Sequence, residues 1–179
     1  MDPALYRSIK FENIDTIRNK MVDVVLKHTK LNEPLFQYVK ASEFTDIPEL
    51  KEQLQTYGLY QYLHYAVINV SLKGTYPIHK DTGGFVYSLN IPILGFDNTF
   101  LNFYSSTTEP RIQGTGQGNV TYMLYNHSDC EFVGKVETNE PAIVNTQVPH
   151  AFQNCNILPR VVILFRINQR WDINEWLRV

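Results

Sequence analysis

Tyr76-Pro77-Ile78-His79-Lys80-Asp81-Thr82-Gly83-Gly84 sets an imidazole and a carboxylate two residues apart, just ahead of a glycine pair. In an extended chain successive side chains alternate faces, so His79 and Asp81 project to the same side. Two such donors, with one more histidine from elsewhere, make the three-point facial arrangement that holds non-heme Fe(II) and leaves coordination positions open. The candidate third donor is His150, in Val144-Asn145-Thr146-Gln147-Val148-Pro149-His150, and Arg160 follows ten residues later. Each residue alone has a plainer reading: a solvated turn for His79 and Asp81, a sheet histidine for His150, a surface charge for Arg160. The four in this order, each beside a strand pattern, favour the metal-site reading.

Composition narrows the setting. A chain of 179 residues supports one core more comfortably than two. One domain over 1–179 is expected, with a helical lead-in over 1–58, a β core over about 59–167 and a tail over 168–179. The formal net charge is -2, which gives no electrostatic case for nucleic acid or a membrane surface as a general partner. Cys130 and Cys155 are too few for a disulfide framework and lack zinc-site spacing. The first residues have no basic-then-apolar signal pattern, and the longest apolar run, Val161 to Phe165, is far short of a membrane span. A soluble cytoplasmic protein is the expectation.

Along the chain, Asn13 is the candidate N-cap of a helix whose Ile14, Ile17, Met21, Val24 and Val25 recur at helical spacing. Residues 31–41 read as irregular around Pro34. Asp46-Ile47-Pro48-Glu49 opens a second helix that Gly58 stops. Both helices precede the strands and are expected to pack outside them. From Leu59 to Leu72 the pattern alternates as a long strand. Phe85–Ile93, Phe100–Tyr104, Val120–Tyr125, Cys130–Glu137 and Ala142–Thr146 read as further strands. Ser88 and Asn90 share one face of an otherwise apolar strand, which fits an inner, ligand-binding face or an exposed edge that Pro92 would permit. Ser105 to Asn119, with Pro110, Gly114, Gly116 and Gly118, reads as a long loop and candidate lid. A hairpin centred near Cys155 would set His150 opposite Arg160, both facing one space. His28, His64 and His127 read as a helix-end, a sheet and a turn residue. Trp171–Val179 is a candidate short helix anchored by Trp176. The whole suggests a closed or sandwiched mainly β core with helical buttresses.

His79-x-Asp81, His150 and Arg160 resemble the HxD…H…R signature of Fe(II)- and 2-oxoglutarate-dependent oxygenases. The flanks are similar too: His-Lys-Asp, a following strand ending Leu-Asn-Ile-Pro-Ile, then Asn-Thr-x-x-Pro-His-Ala-Phe-x-Asn and an arginine opening the last apolar strand. The layout is nearest to the aspartyl/asparaginyl β-hydroxylase branch, and the resemblance spans residues 64–167. It implies a mainly β, cupin-like double-stranded β-helix (jelly roll) with the two helices outside. It implies Fe(II) on His79, Asp81 and His150, and the distal carboxylate of 2-oxoglutarate on Arg160, with Ser88 and Asn90 beside the co-substrate. A guanidinium fork suits a carboxylate independently of any family. O2 would complete the reactants, succinate and CO2 would be co-products, and a small molecule or peptide would be hydroxylated.

The sequence departs from that pattern in three places. Val162 stands where many members carry a Ser or Thr as a second carboxylate donor. Asn90 stands near where the hydroxylase branch has a histidine. Asp81 is retained, although that branch often lacks the carboxylate. Two other readings stay open at this point: a non-catalytic jelly-roll binding or assembly module, and a cupin-type metal enzyme that does not use 2-oxoglutarate.

Overall fold

The last strand shows how the fold is specified. In Arg160–Ile167 every second residue is apolar, so Val161, Ile163, Phe165 and Ile167 fall on one face and Arg160, Val162, Leu164 and Arg166 on the other. The first set is buried in a core shared with Ile17 and Met21 of the first helix and Leu50 and Leu54 of the longer later helix. Each such side chain contributes about 1.5–3 kcal/mol by leaving water. The second set faces a cavity.

The computed structural model describes residues 5–81, 85–116, 120–168 and 170–171. In chain order the elements are β1 (Tyr6–Ser8), α1 (Ile14–Val25), β2 (Leu35–Lys40), α2 (Ser42–Thr45), α3 (Pro48–Thr56), β3 (Leu63–Ser71), β4 (Gly74–Thr75) and β5 (His79–Asp81). They continue with β6 (Tyr87–Leu94), β7 (Thr99–Ser106), β8 (Arg111–Gly116), β9 (Val120–Leu124), β10 (Cys130–Glu137), β11 (Ala142–Asn145), β12 (His150–Asn154) and β13 (Arg160–Ile167). One sheet runs β1-β11-β6-β13-β3-β2. The other runs β10-β7-β12-β5-β9-β8, with β4 also on β12. All the pairings are antiparallel.

Eight strands form the jelly roll expected from the sequence. β3, β6, β11 and β13 lie together in the first sheet, and β5, β7, β10 and β12 in the second. The chain crosses between sheets at β3 to β5, β5 to β6, β6 to β7, β10 to β11, β11 to β12 and β12 to β13. β1 and β2 extend the first sheet at its two edges, and β9 and β8 extend the second. The helices cover the outer face of the first sheet, as expected. Phe44 of α2 meets Phe165 edge to face at 6.0 Å. Arg18 of α1 donates from Nε to the Pro92 carbonyl at 2.9 Å and lies 4.2 Å over the Phe96 ring. No described helix is long and apolar enough to cross a membrane.

Four local expectations are corrected. Residues 31–41 are irregular only over 31–34: Pro34 precedes β2, which pairs along β3 from Leu35 to Lys40, because proline is compatible with the approach to an edge strand. Asn13 does start α1, but in the left-handed region (φ 54) and without a side-chain cap bond. Ser105–Asn119 is not a featureless loop. β7 runs to Ser106, and β8 pairs with β9 through a register shift between Gly114 and Gly116, the irregularity that glycines permit in a strand. Residues 117–119 lie outside the described set, as do 82–84 and the Trp176 helix expected in the tail.

The fourth correction concerns the hairpin. β12 and β13 do not pair with each other; they belong to opposite sheets. The turn between them is steered by side chains. Asn154 Nδ2 donates to the carbonyls of Ser71 (3.1 Å) and Leu158 (3.3 Å), and Asn156 Nδ2 to that of Gly95 (3.2 Å). Gly95, at φ +59, lies so close that an added Cβ would stand 2.2 Å from the Pro159 carbonyl oxygen. Gly58 has a similar φ of +66 but open space around it. Gly58→Ala should therefore lose about 1 kcal/mol from backbone conformation alone, and Gly95→Ala clearly more. Urea unfolding of both variants checks this; equal losses would show that the Pro159 contact does not constrain the turn.

Candidate metal centre

β5 is three residues long and is held on both sides, by β9 and β12. Its pairing sets His79 directly against His150 of β12, with ring centroids 4.5 Å apart. Asp81, two residues on, falls on the same face. The backbone there is clasped from outside the strand. Asp81 N–H donates to the Thr146 carbonyl at 2.9 Å, and Gln147 Nε2 donates to the carbonyls of Asp81 and Phe85 at 3.1 and 3.0 Å.

One nitrogen or oxygen from each of His79, Asp81 and His150 lies within 4.8 Å of the other two. His79 Nε2 stands 3.8 Å from Asp81 Oδ1. Both imidazoles are anchored in the same way. His79 Nδ1 donates to the Pro77 carbonyl at 2.9 Å and His150 Nδ1 to the Val148 carbonyl at 2.8 Å. A carbonyl on Nδ1 fixes the proton there and presents Nε2 as the donor, the outer-shell arrangement that metal-binding histidines use. A two-histidine, one-carboxylate set suits Fe(II) and similar divalent ions and leaves positions for other ligands.

The charges are tuned by burial. His150 is buried, and that burial, reinforced by the neighbouring His79, lowers its pKa from 6.5 to about 4, so the ring is neutral and ready to ligate at pH 7. Burial also opposes ionisation of Asp81. Arg166, with His150 and His79, outweighs it and holds the carboxyl below the usual carboxylate range. Arg166 Nη1 pairs with Asp81 Oδ2, and both side chains are buried. Burial works against the Arg166 cation as well, but the Asp81 charge and a hydrogen bond that Arg166 donates to Tyr38 more than restore it.

The motif-based reading does not single out Arg166. The signal is nevertheless present in the alternation of β13: positions 160, 162, 164 and 166 share a face, so a second arginine six residues after Arg160 must enter the same interior.

Arg160 sits on that face with 3% of its surface exposed. Its guanidinium lies 4.0 Å over the Phe152 ring, and Nη2 reaches Thr138 Oγ1 at 3.5 Å. Its Nε has no hydrogen-bond partner, and no carboxylate pairs with it among the described residues. Burial draws its pKa down to about 9, which still leaves a cation at neutral pH. His150 and Arg160 thus share one space, but by facing each other from opposite sheets.

Ser88 and Asn90 also line this space. β6 is flanked by β11 and β13, so their shared face is interior and not a sheet edge. Ser88 Oγ donates to Asn90 Oδ1, which leaves the Asn90 NH2 to serve a ligand. The cavity measures ≈ 540 Å³, and Pro34, Phe36, Tyr76 and Pro77 also line it. Of the other histidines, His28 pairs with Glu43 at 2.7 Å and His64 is exposed on β3.

No family model matches the chain, and no curated protein matches it. Solved structures similar to it include a prolyl-4-hydroxylase from Pseudomonas putida, at 12% identity and a TM-score of 0.45, covering 92% of this chain and 85% of that one. EvdO2 from Micromonospora carbonacea var. aurantiaca is another, at 9% identity and a TM-score of 0.46, covering 90% of this chain and 93% of that one. The chemistry assigned to the cavity rests on the residues of this chain.

The His150 shift has a consequence for stability. A histidine held at about 4 in the folded chain and near 6.5 in the unfolded one lets the unfolded state take up its proton first. The folded state therefore keeps full stability above pH 6.5 and loses it as the pH falls toward 4, by on the order of 3 kcal/mol. Metal-free protein unfolded in urea at a series of pH values should show this slope, and His150→Gln should flatten it.

Proposed function

We propose that this protein is an Fe(II)- and 2-oxoglutarate-dependent dioxygenase that hydroxylates a small molecule or peptide. One observation carries the reading: Arg160, a buried cation without a counter-charge among the described residues, shares a cavity with a two-histidine, one-carboxylate donor set. A cation taken out of water without a partner is strongly unfavourable, so an anionic ligand is the natural occupant of its end of the cavity. The donor set at the other end supplies the chemistry of a divalent metal. A dicarboxylate with a 2-oxo group satisfies both ends at once.

Fe(II), when bound with 2-oxoglutarate and O2, supplies an oxidation of a C–H group coupled to release of succinate and CO2. His79, Asp81 and His150 would hold the metal, with the two Nδ1 bonds setting ring orientation. Arg166 would keep Asp81 ionised and direct Oδ2 away, so that Oδ1 faces the histidines. Arg160 would take the distal carboxylate, and the Asn90 NH2 would donate to the co-substrate from β6. Asp81, His150, Arg160 and Arg166 are buried, and a charge interaction away from bulk water is stronger.

The test is an anaerobic titration of Fe(II)-loaded protein with 2-oxoglutarate, watching for the weak visible charge-transfer band of the chelated co-substrate. The band should form in the unmodified protein. In Arg160→Ala the half-saturating concentration should rise about a hundredfold, as expected for removing one partner of a buried charge pair. Iron without a band would favour a cupin-type metal enzyme. No iron uptake would leave a jelly-roll binding module.

A further inference from the structure

Arg160 alone does not make a carboxylate socket. A carboxylate's two oxygens offer about four acceptor sites, and one guanidinium edge, even when it binds both oxygens, fills only about two of them. Val162, on the same cavity-facing side of β13, has no hydrogen to donate. The hydroxyl that Arg160 already reaches, Thr138 Oγ1, is spoken for. Thr99 Oγ1 donates to the Phe96 carbonyl at 2.7 Å, so in its 2.7 Å bond with Thr138 it can only accept. Thr138 must donate to Thr99, and it meets Arg160 with a lone pair. It steers the guanidinium but gives nothing to an anion.

Three other hydroxyls lie near Arg160; that of Tyr6 donates to the Glu137 carbonyl at 3.4 Å, which leaves Ser71 and Tyr76. Ser71 of β3 is its direct cross-strand partner. Directly opposed residues project to the same face, and Asn69, two residues earlier on that face, lines the cavity. Ser71 is 1% exposed; its Oγ makes no hydrogen bond of good geometry, just as Arg160 Nε makes none, and it adjoins the Tyr76 hydroxyl. Buried donors without acceptors are rare, and a missing ligand is one explanation for a neighbouring pair of them. Tyr76 comes from the second sheet. Its N–H donates to the Phe152 carbonyl at 2.8 Å, its ring lies 5.8 Å from that of Phe152, and Phe152 in turn carries the Arg160 guanidinium. Burial raises the Tyr76 phenol above its ordinary value while the Leu72 backbone, Ser71 and Arg160 pull the other way, so the hydroxyl keeps its proton at neutral pH. Its side chain lines the cavity.

We propose that Ser71 and Tyr76 complete a three-donor socket with Arg160 for the distal carboxylate of the co-substrate, replacing from neighbouring strands the hydroxyl that Val162 does not provide. This rests on the 2-oxoglutarate reading. Arg160 Nε meets one carboxylate oxygen and the two hydroxyls meet the other, which leaves no donor at this end unpaired.

The experiment compares 2-oxoglutarate with 2-oxobutanoate, which has the same metal-chelating end and no distal carboxylate. Both are titrated anaerobically into Fe(II)-loaded protein and followed by the visible band. Ser71→Ala and Tyr76→Phe should each raise the half-saturating 2-oxoglutarate about tenfold and leave that for 2-oxobutanoate unchanged. The 2-oxobutanoate band also reports that each variant is folded and loaded. Unchanged 2-oxoglutarate binding in both variants overturns the socket, and so does an equal loss for the two acids, which would mark a structural role. If the unmodified protein takes up iron but forms no band with 2-oxoglutarate, the oxygenase reading itself falls, and the socket with it.

Discussion

Asp81 and Arg166 meet in the interior from opposite sheets, Asp81 from β5 and Arg166 from β13. Neither charge would be tolerated there alone: breaking a buried pair typically costs about 3–5 kcal/mol. The pair ties the two sheets together at the end of the cavity that holds the candidate metal ligands. It also sets the donor geometry, because engaging Oδ2 leaves Oδ1 toward His79. The rest of the site follows from that fixed carboxylate, with two imidazoles locked by backbone carbonyls on the same sheet. At the other end of the same face of β13, Arg160 has no such partner among the described residues.

The division of labour between the two faces of β13 makes this possible. Its apolar face is buried under the helices, which supplies stability without involving the cavity. Its inner face is then free to carry two cations. β6 repeats the arrangement, with Leu89, Ile91 and Ile93 buried outward and Ser88 and Asn90 turned inward. A site built on central strands, backed by a packed core, holds its geometry more tightly than one built on loops.

Much of this is legible in local patterns. Two-residue spacing gives the shared face of His79 and Asp81, and strict alternation gives the inner face of Ser88 and Asn90. Resemblance to a known signature supplies the jelly roll. What is not legible is non-local. Alternation assigns a side chain to a face but not a strand to a sheet, so β12 and β13 look like a hairpin in sequence. Their separation depends on Asn154, Asn156 and the close approach of Gly95 to Pro159. β2 and β8 are strands because β3 and β9 offer them edges, which their own proline- and glycine-marked sequences do not announce. Arg166 escapes a search for motifs, although its parity with Arg160 places it inside.

The proposal that His79, Asp81 and His150 act together as one metal site is tested most directly by anaerobic calorimetric titration of metal-free protein with Fe(II). One ion per chain is expected, with binding lost in His150→Ala and in Asp81→Asn, whose amide oxygen can still accept from Arg166, and with circular dichroism showing both variants folded. Binding of unchanged strength in either variant would contradict it.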